Sequence, residues 1–133
     1  MIVADVNLVA HLLLGGPESG TARRVIEKDA EWVAPLLWRS EFRSVLTMAM
    51  RHRQMELAAA LEANALAERL FGGREYVVTG DQVLRLVPDS PCSAYDLEYV
   101  ALADQLCVPL ITSDRQVLRS FPRLAVAPTE FAP

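Results

Sequence analysis

The stretch SAYDLEYVALADQLCVPLITSDRQVLRS, Ser93 to Ser120, sets the architecture. Its first half repeats apolar residues at helical spacing and predicts a helix over Ser93–Cys107. Pro109-Leu110-Ile111 then gives a short, wholly apolar strand, and Asp114 to Ser120 returns to a helical pattern. A strand without polar alternation is buried on both faces, as in a parallel sheet covered by helices on each side. The same alternation extends outward in both directions. Strands are predicted at Ile2-Val3-Ala4, Trp32-Val33-Ala34 (stopped by Pro35), Tyr76-Val77-Val78 and Leu124-Ala125-Val126. Helices are predicted over Val6–Leu14, Ser19–Lys28, Leu36–Arg53, Met55–Phe71 (ended by Gly72-Gly73) and Asp81–Leu86. The expected architecture over residues 1–133 is a single α/β domain, a three-layer α/β/α sandwich around a central, mostly parallel sheet.

At 133 residues the chain can bury one sizeable core without help from disulfides or a structural metal. Cys92 and Cys107 form no CxxC pair and no dense framework, so free thiols packed as small core residues are expected, with a bridge between them left open. There is no basic n-region and no span of membrane length, which points to a cytoplasmic protein. A net charge of −4 argues against coating nucleic acid by bulk electrostatics. Lys28 is the sole lysine among 13 basic residues, and arginine suits bidentate contact with phosphate or carboxylate.

Acidic residues stand out by position. Asp5 follows the first strand and Asp114 follows Leu110-Ile111, and parallel sheets place their sites beyond the carboxyl ends of strands. In the helix from Leu36, Glu41 falls on the stripe of Trp38, Phe42, Val45, Leu46, Met48, Ala49 and Met50, opposite Arg39, Arg43, Thr47 and Arg51. In the helix from Ser93, Asp96 shares a face with Tyr99, Val100, Ala103 and Cys107, whereas Glu98, Asp104 and Gln105 point elsewhere. A bare carboxylate buried in a core costs several kcal/mol, so inward acids must be paired, neutralised or metal-bound. Each also suits a helix cap when taken singly, and Ser93-Ala94-Tyr95-Asp96 has capping-box spacing with Asp in place of Glu. As a set they point to a hard divalent cation, Mg²⁺ or Mn²⁺, held by carboxylate oxygens and handling a phosphodiester. His11 and His52 are too few and too far apart for a zinc cluster, and His52 fits a core or dimer-interface position.

These motifs resemble the PIN domain, in particular the VapC-like ribonuclease toxins of toxin–antitoxin pairs. Ile2-Val3-Ala4-Asp5-Val6-Asn7 is similar to the family's first strand with its Asp and following Asn. Ser40-Glu41-Phe42 is similar to its helical Glu segment, and Tyr95-Asp96 through Pro109-Leu110-Ile111-Thr112-Ser113-Asp114 is similar to its Tyr-Asp helix, strand and Thr-x-Asp turn. The resemblance implies endoribonuclease activity requiring Mg²⁺ or Mn²⁺, with Asp5, Glu41, Asp96 and Asp114 carrying the metal and the attacking water. It implies supporting roles for Asn7, Thr112 and Ser113, a homodimer, an RNA substrate and a small antitoxin partner. Arg115-Gln116-Val117 lacks the further acid that some members carry, which bears on a second metal position. Arg39, Arg43 and Arg115, then Arg23 and Arg24, are candidates for RNA phosphate contact.

Rival functions fare less well. A receiver or phosphatase would need a late lysine or paired aspartates, and a dinucleotide enzyme would need GxGxxG after the first strand. The remaining alternative is a catalytically silent PIN-like module that acts only by binding a partner. The apolar positions Leu57, Leu61, Leu66 and Leu70 suit a core, and that helix also carries enough apolar surface to join a partner.

Overall fold

A computed structural model describes all 133 residues. Five short strands form one all-parallel sheet: β1 (Ile2–Ala4), β2 (Trp32–Pro35), β3 (Glu75–Tyr76), β4 (Leu110–Ile111) and β5 (Ala125–Val126), in the order β3-β2-β1-β4-β5. Central β1 is fully buried and pairs on both sides, Val3 lying opposite Val33 of β2 and Leu110 of β4. The strands are short because each gives way within a few residues to a helix or turn. Helices cover both faces: α1 (Val6–Leu14), α2 (Ser19–Lys28), α3 (Trp38–Arg51), α4 (Leu57–Phe71), α5 (Gly80–Leu86), α6 (Ala94–Leu106), α7 (Arg115–Ser120) and α8 (Pro128–Phe131). α1 packs on α2, α3 and α4, while α6 packs on α5 and lies against β1 and β2, giving the three-layer α/β/α arrangement. The sheet is wholly parallel, where a mostly parallel one was expected.

Several boundaries and faces differ from the sequence reading. The third strand lies at Glu75–Tyr76 and not Tyr76–Val78, because Glu75 is anchored by Trp38 and Arg39 while Val77 is 75% exposed. α4 turns its alanines inward: Ala60, Ala63, Ala67 and Phe71 are buried, whereas Leu57 and Leu61 are 58% and 61% exposed and Leu66 also faces out. The small residues let α4 approach α1, α3 and β2 closely, so the leucine positions are not the core that was expected, and only Leu70 is partly buried against it. The α3 stripe divides as well. Trp38, Phe42 and Leu46 are buried, but Met48 and Met50 are exposed. Both cysteines are free; Cys92 is buried as expected, but Cys107 is exposed, in the left-handed residue that ends α6. No helix is long and apolar enough to cross a membrane.

Candidate metal centre

The strand order reverses between β1 and β4, and ligands of open parallel sheets bind beyond the carboxyl ends of strands at such a switch point. In this topology a helix that follows a strand starts at the carboxyl edge, and a helix that precedes one also starts there. The N-termini of α1, α3, α6 and α7 therefore gather at the same edge, and a carboxylate in a cap or first turn is carried there with its helix. Helix N-termini also favour negative charge. Capping and convergence are one arrangement here, not competing readings.

Asp5 caps α1, its Oδ1 accepting the Asn7 amide at 3.5 Å and its Oδ2 accepting the Thr112 hydroxyl at 2.6 Å. Asp96 closes a full capping box on α6: its amide donates to Ser93 Oγ, and its Oδ2 accepts the Ser93 N–H and O–H at 3.3 and 2.9 Å. Glu41 lies in the first turn of α3 and accepts the Tyr99 hydroxyl on Oε1 at 2.7 Å. Asp114 caps α7, its Oδ1 taking the amides of Gln116 and Val117 at 2.8 and 3.0 Å. Thr112 ties the outer two acids together, since its Oγ1 donates to Asp5 and accepts the Asp114 amide at 3.0 Å. Asp5, Asp96, Tyr99 and Thr112 line a common cavity of about 10 Å³.

The charges of Asp5, Glu41 and Asp96 act on one another. Burial pushes the Asp5 carboxyl above its ordinary range, with the Asp96 charge adding to it and the Thr112 and Asn7 hydrogen bonds opposing. Burial likewise raises Glu41, with the charges of Asp5, Asp96 and Glu98 adding and the Tyr99 hydroxyl opposing. Burial, then the Glu41 carboxylate, drive the Tyr99 phenol far upward, so it stays a donor at any working pH. None of the ion pairs in the protein involves Asp5, Glu41, Asp96 or Asp114. Asp114 joins the others through Thr112, not through its own carboxylate.

The donor set suits a hard divalent cation in chemistry: carboxylate and hydroxyl oxygens, mutually repelling, with no basic side chain to neutralise them. As placed, no three acidic, histidine or cysteine side chains draw together as the ligands of one ion. Repulsion among unneutralised carboxylates favours such spacing, and Mg²⁺ is typically held by only one or two carboxylates together with water.

Other residues fall in different places. Ser113 is exposed and lines a separate cleft with His11, Glu18 and Arg115. Asn7 is exposed beside Glu41 in a groove of about 590 Å³ whose walls include Ser44, Met48 and His52. His52 is thus an exposed groove residue and not a core one. Arg39 is not free for a phosphate: its fork grips Glu75 at 2.8 and 3.1 Å and Glu68 at 2.9 Å. Arg24 is tied to the Ala132 carbonyl and Thr21. Arg43, Arg115 and Arg23 are exposed and make no ion pair. Sequence reasoning missed Glu98 and Tyr99 as site residues. Glu98 was expected to point away from the Asp96 face, yet it is partly buried, burial raises its carboxyl, and its charge acts on both Glu41 and Tyr99. Tyr99 was read as part of an inward face, and its partner on a distant helix leaves no local signal. No protein-family model matches the chain, and no curated protein sequence matches it.

Proposed function

We propose that the protein is a Mg²⁺- or Mn²⁺-dependent endoribonuclease of the PIN-like, VapC-like kind, acting as the toxin of a toxin–antitoxin pair. The observation that supports this reading is that Asp5, Glu41 and Asp96, from three distant helix starts at the switch point of a parallel sheet, lie near enough for their charges to act on one another with no basic side chain paired to them. Asp5, Glu41 and Asp96 would hold the ion, with Asp114 beside them through Thr112. When bound, such an ion activates water for attack on phosphorus and stabilises the departing oxygen. The chain's own residues orient the acids: Thr112 fixes Asp5, Ser93 fixes Asp96 and Tyr99 fixes Glu41. Arg43 and Arg115 are the cations proposed to meet RNA phosphates, since Arg39 is engaged elsewhere. The motif resemblance narrows phosphodiester chemistry to RNA. The proposed assembly is a homodimer with a small antitoxin, for which exposed Leu57, Leu61 and Met48 offer apolar surface.

The test is RNA cleavage by the purified chain in Mn²⁺ and in chelator, alongside Asp5→Asn and Asp96→Asn. Cleavage is expected only with metal, and each substitution should lower it by more than about 100-fold, beyond the cost of losing a supporting partner. Cleavage that persists in chelator, or in both variants, overturns the proposal. Partner binding without any RNA cleavage would assign the chain to a silent binding module instead.

A further inference from the structure

Each acid of the centre has a carboxylate oxygen tied to an uncharged donor. For Asp96 and Asp114 the donor belongs to the residue's own helix start, a local consequence of capping. Asp5 has such a local donor in the Asn7 amide and adds the Thr112 hydroxyl, two residues before Asp114 in the turn after the neighbouring strand β4. Glu41 differs in kind. Its donor is the phenol of Tyr99, 58 residues away on α6, at 2.7 Å from Oε1. That phenol is 4% exposed and has no other hydrogen-bond partner, and Glu41 Oε2 accepts nothing from the protein. Glutamate also has one more side-chain torsion than aspartate, so among these acids it has the greatest freedom to swing both oxygens toward an ion. The Tyr99 contact opposes that swing by holding Oε1.

Small and large divalent ions value that freedom differently. Mg²⁺ demands a near-ideal octahedron at about 2.0–2.1 Å and keeps several waters, whereas Ca²⁺ takes about 6–8 oxygens at about 2.3–2.6 Å and readily uses a carboxylate bidentately. We infer that Tyr99 is a positioning residue that sets the cation preference of the centre: by holding Oε1 it favours one-oxygen over bidentate coordination by Glu41 and so disfavours Ca²⁺ relative to Mg²⁺ or Mn²⁺. The inference rests on the metal-binding half of the proposed function and is independent of RNA cleavage.

The experiment titrates Mn²⁺ and Ca²⁺ separately into the full chain by calorimetry, for the unmodified protein and for Tyr99→Phe, with thermal unfolding to verify that both fold. The unmodified protein should favour Mn²⁺, and Tyr99→Phe should narrow the ratio of the two dissociation constants by about tenfold, the low end of what a supporting partner controls. In a Glu41→Gln background the same Tyr99 substitution should leave the ratio unchanged. A ratio equal in the unmodified protein and Tyr99→Phe overturns the inference alone. Binding of neither ion overturns both the inference and the metal centre. A narrowed ratio without RNA cleavage supports the inference and overturns only the ribonuclease reading, and a widened one overturns the inference. Should Tyr99→Phe fail to fold, a crystal structure of the unmodified protein with Mn²⁺ decides: one Glu41 oxygen on the ion and the other on Tyr99 supports it, and both oxygens on the ion overturns it.

Discussion

Thr112 is the one buried polar residue of the protein, at 2% exposure, and its hydroxyl serves two neighbours at once. It donates to Asp5 Oδ2 and accepts the Asp114 amide, so a single oxygen fixes the ends of β1 and α7 relative to each other. Valine has the same shape without either hydrogen-bonding function. Thr112→Val should lower stability by about 1–3 kcal/mol, because the Asp114 amide and a crowded Asp5 oxygen both lose their partner. Thr112→Ser should recover most of it. Urea unfolding of the metal-free variants measures this, and equal midpoints for Val and Thr would show that the hydroxyl carries no structural weight.

At the scale of elements, α4 and α6 show two ways in which a helix sequence underdetermines its setting. α4 has apolar residues on nearly every side, so its leucine pattern and its alanine pattern both fit an inward stripe. Close contact with α1, α3 and β2 selects the alanines. Ala67→Leu should therefore cost about 1–3 kcal/mol through overpacking, whereas Leu61→Lys should stay within about 0.5 kcal/mol for the isolated chain. Equal destabilisation in chemical denaturation would contradict that orientation. α6 is legible at its start, where the Ser93–Asp96 capping box forms as its spacing predicts. Its flank is not, because Glu98 lies off the apolar stripe and only the position of α3 brings Glu41 near it.

For the whole molecule, the acidic edge links stability to pH and, on the proposed function, to metal. Asp5, Glu41 and Glu98 have carboxyls raised above ordinary values of 3.8, 4.5 and 4.5. A native state that holds protons more tightly than the unfolded chain loses stability as pH rises. This contribution is fully present below those ordinary values and is lost as pH climbs through the raised ones. Asp29 works in the opposite sense: against the push of burial, the Met1 amino group and the Glu31 amide hold it low, so its contribution is lost only on acidification below 3.8. In chelator the Tm should accordingly decline as pH is raised from about 4.5 toward neutrality. Mn²⁺ should restore it, more so at higher pH, because ligands must be deprotonated to bind. Glu41→Gln keeps an acceptor for Tyr99 while removing a charge, so it should flatten the decline. A chelated protein whose Tm rises steadily over that range would refute the account.

The sequence by itself determined the class of fold and the local posts of the acids. Short apolar strands between helices allow little besides a covered parallel sheet, and Asp5, Asp96 and Asp114 sit where their own backbone amides need an acceptor. These are short-range effects, written within a few residues. Only the tertiary structure decided which of the posts share a field. The strand order places the starts of α1, α3 and α6 together, gives Glu41 the Tyr99 hydroxyl, brings in Glu98, and spends Arg39 on Glu75 and Glu68. Each of those outcomes depends on contacts between residues tens of positions apart. Periodicity along one helix carries no information about which other helix it will face.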